Sequence, residues 1–267
     1  MTNRIDQLFR DRDREILSIY ITAGYPELND TTRLLKALQA HGADMVEIGI
    51  PFSDPLADGP VIQHSSQLAL QNGMSLDLLF RQLEGIREHI SMPLILMGYL
   101  NPVLQMGMEG FLSRCRDTGI DGVIIPDLPP DEYETHYREL FQSYGIYHSM
   151  LITPHTSEER IRRIAALSDG FLYMVAASST TGTRDSVGDL QRQYFQRLKE
   201  MGLQVPGLIG FGISNRLSFE IACKYARGAI IGSAFIKALG APGSRSLEEL
   251  VGTFIGEIRG DQLTGSG

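Results

Sequence analysis

Tryptophan is missing from the 267 residues, and cysteine occurs only twice. Cys115 and Cys223 are far apart and have no metal-ligand spacing, so they suggest reduced thiols in a cytosolic chain. The histidines His41, His64, His89, His136, His148 and His155 form neither an HxH nor an HExxH pair, which argues against zinc. Positive charge is sparse. The net charge is −8 and the longest basic run is Arg162-Arg163, which disfavours nucleic acid and anionic membrane as partners. No apolar run approaches the roughly 18 residues a membrane span needs. The first ten residues hold no apolar stretch of signal-peptide type, so none is expected.

Hydrophobic residues are 43% of the chain, enough for a sizeable core. Apolar, β-prone runs recur at Ile16–Thr22, Met45–Ile48, Leu94–Met97, Gly122–Ile125, Tyr147–Leu151, Phe171–Val175, Gly207–Ile209 and Ala229–Ile231. Helical patterns separate them, among them Asp30–His41, Leu76–Glu88, Glu109–Thr118, Pro130–Ser143, Ser157–Leu167, Leu190–Met201 and Leu217–Tyr225. Strands alternating with helices imply parallel pairing through right-handed crossovers. Eight such units in one domain spanning 1–267 predict an α/β fold, a closed (β/α)8 TIM barrel. A doubly wound open sheet is the alternative. It would want a glycine fingerprint after the first strand, and Thr22-Ala-Gly-Tyr-Pro26 is not one. Two additions to the barrel are expected. An amphipathic N-terminal helix at residues 2–12 would plug the N-terminal face, and a short helix at Ser233–Leu239 would follow strand 8. A final helix is expected at Leu247–Arg259, with a disordered tail at 260–267.

Residues 45–60, Met-Val-Glu-Ile-Gly-Ile-Pro-Phe-Ser-Asp-Pro-Leu-Ala-Asp-Gly-Pro, are the most informative stretch. Glu47 lies inside an apolar strand, where a carboxylate costs several kcal/mol unless it is satisfied or neutral. A loop stiffened by Pro51, Pro55 and Pro60 then carries Asp54 and Asp58. An acid on a rigid strand and another on a proline-bounded loop suit general acid and base chemistry. A capped loop with a structural ion pair fits the same residues.

In a barrel of this kind, chemistry sits where strands end. Ala176-Ala-Ser-Ser-Thr-Thr-Gly-Thr-Arg184 follows strand 6, Gly210-Phe-Gly-Ile-Ser214 follows strand 7, and Gly232-Ser233 opens the short helix. Glycines admit backbone N–H groups to a ligand, and a helix start favours an anion, so the three loops together describe a phosphate pocket or a set of turns. The loop Ser178–Val187 fits either a closing lid or an ordinary surface loop. Tyr20 and Tyr173 fit core packing or a substrate floor, whereas Phe211, between two glycines, favours ligand contact. From the residues alone, the chain reads as a barrel enzyme. It binds a phosphorylated small molecule with an apolar portion and uses carboxylates as acid and base.

The segment from Glu47 to Pro60 closely resembles the signature of the tryptophan synthase alpha chain family. Gly98-Tyr-Leu-Asn-Pro102, Ile125-Pro-Asp-Leu-Pro-Pro130, Ser178–Arg184, Gly210–Ser214 and Gly232-Ser-Ala234 match in order over nearly the whole chain. The resemblance implies retro-aldol cleavage of indole-3-glycerol phosphate to indole and glyceraldehyde 3-phosphate. It assigns Glu47 as the acid and base, Asp58 to the indole N–H, and Tyr173 to the neighbourhood of Glu47. Tyr20, Ile62 and Phe211 match positions around the indole ring. Thr181, Gly182, Gly212, Gly232 and Ser233 match the phosphate pocket and its closing loop. The resemblance also implies a beta-chain partner carrying pyridoxal phosphate in an α2β2 assembly, with no cofactor in this chain. The loops at 52–60 and 100–108 would face that partner. The implied location is the cytoplasm, or the stroma in a plastid-bearing source. Tyr25 and Leu100 depart from common family residues at positions that bear on the partner contact. Alternatives of other kinds are a free-standing lyase, a silent activator of the beta chain, and a different phosphate-binding barrel. The last would want lysines at strand ends, yet Lys36, Lys199, Lys224 and Lys237 all fall in expected helices.

Overall fold

The computed structural model describes residues 2–55, 58–176, 184–210, 212–241 and 245–260, with backbone alone at 184–190. Its strands are β1 (Ile16–Thr22), β2 (Met45–Gly49), β3 (Leu94–Met97), β4 (Gly122–Ile124), β5 (Tyr147–His148), β6 (Leu151–Ile152), β7 (Leu172–Val175), β8 (Gly207–Gly210) and β9 (Gly228–Ile231). All pair in parallel, in the order β5-β4-β3-β2-β1-β9-β8-β7-β6. The two end strands are separated in the chain only by Ser149 and Met150. The Ser149 N–H donates to the Val123 carbonyl at 3.1 Å, and the Tyr173 N–H donates to the Met150 carbonyl at 2.9 Å, so the sheet closes on itself. This is the expected barrel, with its fifth stave broken in two. The break has a cause outside the stave: the Met150 N–H is taken by the Ser168 hydroxyl at 2.9 Å instead of by a strand.

Two predicted helices differ in form. The pattern at Leu76–Glu88 is a helix only to Leu83. Gly85 at φ 70° interrupts it, and a 3-10 turn follows at Ile86–Glu88. The pattern at Pro130–Ser143 passes through a π turn at Tyr133–Tyr137 before the helix Arg138–Tyr144. A helix at Pro60–Gln71 begins on a proline read from the sequence only as a loop boundary. Proline is tolerated at the first helical position because that N–H has no partner within the helix. The short helix Ser233–Leu239 and the final helix Leu247–Arg259 fall where expected. Residues 261–267 lie outside the described residues.

Strand alternation sorts the side chains into two cores. One lies between the sheet and the outer helices. The other fills the barrel, where Ile16, Met45, Ile95, Ile124, Phe171, Tyr173, Leu208 and Ile230 pack with Ile5 and Phe9. The last two come from the N-terminal helix Arg4–Asp11, capped by the Asn3 side chain, which accepts from the Ile5 N–H at 2.9 Å. That helix closes the N-terminal end. Asn3 donates to the Asp121 carbonyl, Arg4 pairs with the Asp121 carboxylate at 2.9 Å, and Arg227 donates to the Phe9 carbonyl. Asp121 also takes the Leu94 N–H at 2.8 Å and an ion pair from Arg87. Stabilising contacts therefore gather at the strand starts, which leaves the strand ends for chemistry.

Candidate active site

Glu47 occupies the middle of β2 and is fully buried. Strand alternation turns it into the barrel together with Met45, and the register sets Tyr20 of β1 beside it. Its Oε1 accepts from the Ser18 hydroxyl at 3.2 Å, and its Oε2 has no hydrogen-bond partner among the described residues. Burial pushes the Glu47 carboxyl up to about 8, against a smaller opposing effect of the Ser18 bond. Glu47 is therefore neutral and protonated at neutral pH. This resolves the buried-carboxylate problem posed by the sequence and supplies a proton donor inside an apolar barrel.

Tyr20 and Tyr173 flank it. Tyr173, on β7, is buried, and its hydroxyl is held far above its ordinary range by desolvation, then by Glu47, Tyr20 and Asp58. Tyr20 is raised by desolvation and next by Asp58. Both phenols are therefore neutral hydrogen-bonding groups. Each ring needs a glycine on the next strand. A Cβ at Gly49 would overlap the Tyr20 hydroxyl, and one at Gly210 would overlap that of Tyr173. Those glycines make room for the hydroxyls over the strand ends, a role that sequence reading did not assign to either.

Asp58 reaches the same region from the loop before Pro60. It is partly buried, and desolvation raises its carboxyl above the usual range. The Tyr99 hydroxyl donates to Oδ2 at 3.1 Å and opposes that rise. Tyr99 follows β3 and stacks on Phe52, with centroids 5.2 Å apart. Gln63 fixes the loop by donating to the Asp58 and Pro55 carbonyls at 2.9 and 3.2 Å. Asp54, the other acid of this loop, is exposed and held by Ser53, so it takes no part in the cluster. Ile62 is buried on the helix that Asp58 precedes. Ser65, one turn later, bonds the Thr22 hydroxyl at the end of β1 at 2.7 Å.

Sequence reading missed Ser18 and Tyr99 as site residues. Ser18 was findable, because it lies two residues before Tyr20 on the same strand face. Tyr99 lies within the motif Gly98–Pro102, but nothing local ties it to Asp58, 41 positions away.

Part of the expected phosphate set is described. Gly212 is exposed with φ +74°, and a Cβ there would meet nothing within 4 Å among the described residues. Gly232 precedes the helix Ser233–Leu239, which has no side-chain cap on its first N–H groups, and a Cβ at Gly232 would lie 3.4 Å from that of Tyr20. The start of that helix thus lies against Tyr20. Thr181, Gly182 and Phe211 lie outside the described residues, as do 178–183 of the expected loop Ser178–Val187; its remainder is not loop, because the helix expected from Leu190 already begins at Arg184.

A cavity of about 520 Å³ lies apart from this cluster, between the ends of β4 and β6 and the helix Glu158–Leu167. His148 on its wall is buried between Tyr133 and Phe141, and desolvation pushes it down to about 3, so it is a neutral core histidine.

A family model described as tryptophan synthase alpha chain matches residues 7–254. The chain belongs to the tryptophan synthase alpha chain family. The alpha chain of Flavobacterium johnsoniae is 53% identical over 257 residues, covering 96% of this chain and 100% of the relative. That of Bacteroides thetaiotaomicron is 53% identical over 237 residues, covering 89% and 93%. Among solved structures, an alpha chain from Legionella pneumophila superposes with a TM-score of 0.85 at 34% identity, covering 97% of each chain. A tryptophan synthase complex from Pyrococcus furiosus gives 0.82 at 32% identity, covering 93% of this chain and 99% of that one. The family bears out the barrel and the retro-aldol half-reaction.

Proposed function

We propose that Glu47 and Asp58 carry the cleavage of indole-3-glycerol phosphate to indole and glyceraldehyde 3-phosphate. The observation behind this reading is a buried, protonated carboxyl inside an apolar barrel, with a second carboxyl acting on the same tyrosines. Glu47 donates its proton to C3 of the indole. Ring aromaticity is lost, and an iminium forms at the ring nitrogen. The bond from C3 to the glycerol carbon breaks, and its electron pair returns to the ring. The hydroxyl on that carbon becomes the aldehyde, and its proton goes to Glu47, restoring the acid. Asp58 accepts the indole N–H and stabilises the cation. Tyr173 is a neutral neighbour of Glu47, and Tyr20, Ile62 and Phe211 enclose the ring.

The phosphate is held by backbone N–H groups at Gly182, Gly212, Gly232 and Ser233, with Thr181 on the loop that closes. A helix start with uncapped donors suits an anion. Gly212→Val places a branched side chain in that open space at a φ that β-branched residues avoid. We expect KM for the phosphorylated substrate to rise about tenfold or more, with little change for indole binding. Unchanged substrate affinity would remove this loop from the site.

The partner is a beta chain that holds pyridoxal phosphate, in an α2β2 assembly in the cytoplasm, with no cofactor bound by this chain. The loop 52–60 faces it, together with the segment 100–108, which was expected as a loop but folds as the helix Leu100–Met106 and the start of the helix Met108–Asp117. Phe52 stacks on Tyr99, which bonds Asp58, so the expected partner surface is mechanically joined to a catalytic carboxyl. Leu104 on the helix Leu100–Met106 is 47% exposed, an apolar side chain suited to burial there. No helix among the described residues is long and apolar enough to cross a membrane. The test is indole release from indole-3-glycerol phosphate by the purified chain, alone and with a tryptophan synthase beta chain. Weak activity alone with strong stimulation is expected. Full activity alone would make the chain a free-standing lyase, and none in either case would overturn the assignment.

A further inference from the structure

Glu47 has two chemically unequal oxygens. Oε1 receives the Ser18 hydroxyl, while Oε2 has no hydrogen-bond partner among the described residues. Ser18 is itself fully buried on β1, two residues before Tyr20 and on the same interior face. A hydroxyl that donates to Oε1 favours the carboxylic acid with its acidic hydrogen on Oε2, because Oε1 is then the carbonyl oxygen, the stronger acceptor of the two. The same bond survives ionisation, since a carboxylate oxygen also accepts. At 3.2 Å it is long for a hydroxyl donor, and such bonds shorten and strengthen when the acceptor gains charge.

We propose that Ser18 is a positioning residue for the cleavage: by holding Oε1 through the whole cycle, it makes Oε2 the oxygen that gives the proton to indole C3 and recovers one from the glycerol hydroxyl. The inference rests on Glu47 being the acid and base. Ser18 strengthens its bond as the proton leaves Oε2, so it favours the transition state over the bound substrate. It touches no reacting atom.

The test is Ser18→Ala, with Ser18→Thr as the variant that keeps the hydroxyl. In Ser18→Ala, kcat falls about tenfold with KM unchanged, a loss typical of a hydrogen bond to a charged group. Activity falls at high pH as Glu47 loses its proton. Without the Ser18 bond the carboxyl holds its proton more tightly, so this limb moves up by about one pH unit. Ser18→Thr restores both the rate and the limb. A loss of rate with the limb unmoved, or no loss at all, overturns the proposal. The carboxyl C=O infrared band, identified by its absence in Glu47→Gln, titrates without turnover and reads the same shift in any folded variant. The two readings separate cleanly. An active Glu47→Gln refutes the acid itself, whereas an inactive Glu47→Gln beside an unaltered Ser18→Ala refutes only the role of Ser18.

Discussion

Replacing Glu47 with glutamine is expected to lower indole release by about 10³-fold or more, the scale of losing a positioned acid and base. Glutamine preserves the shape and the bond from Ser18, but it cannot give a proton to carbon. Single-turnover cleavage measures the chemical step, and near-native turnover would end the assignment. The same substitution has a stability signature with a definite sign. Burial raises the folded carboxyl from 4.5 to about 8. Between those pH values the folded chain keeps a proton that the unfolded chain has released, so native stability falls as pH rises through the window. Glutamine does not titrate. The melting temperature of Glu47→Gln should therefore exceed that of the native chain by a margin that grows from about pH 5 to pH 8 and then levels off. An activity loss with a flat stability difference would show that Glu47 is not buried in neutral form.

Much of this arrangement was legible in the sequence because it is local. The alternation of β2 places Glu47 inward, prolines bound the loop of Asp58, and helical periodicity locates the N-terminal helix that Ile5 and Phe9 anchor under the barrel. What was not legible depends on contacts between distant segments. The fifth stave is broken because Ser168 takes the Met150 N–H, and no pattern within Tyr147–Leu151 announces that. Gly210 read as part of an anion loop, yet it also has to admit the Tyr173 hydroxyl from the neighbouring strand. Asp54 and Asp58 looked equivalent in sequence. Tyr99 separates them by bonding one and leaving the other in solvent.

Asp58→Asn is expected to lower kcat by about 10²-fold while leaving KM within a few-fold, because the lost interaction is with charge that develops only after C3 is protonated. The amide oxygen can still accept the indole N–H, so binding survives, but the counter-charge is gone. The pH profile distinguishes this from a structural role. Productive enzyme needs Asp58 ionised and Glu47 protonated at once. The activity of the native chain therefore rises through the Asp58 ionisation, itself displaced upward by desolvation, and falls near pH 8 with Glu47. In Asp58→Asn the rising limb should disappear and the falling limb remain. Tyr99→Phe keeps the carboxylate but removes the donor that favours its ionised form, so the rising limb should move to higher pH with a smaller loss of rate. An unchanged rate and profile in Asp58→Asn would reduce Asp58 to a loop residue held by Tyr99. Loss of the rising limb in Asp58→Asn, with its displacement in Tyr99→Phe, would tie the aromatic pair on the expected partner side directly to the electrostatics of the reaction.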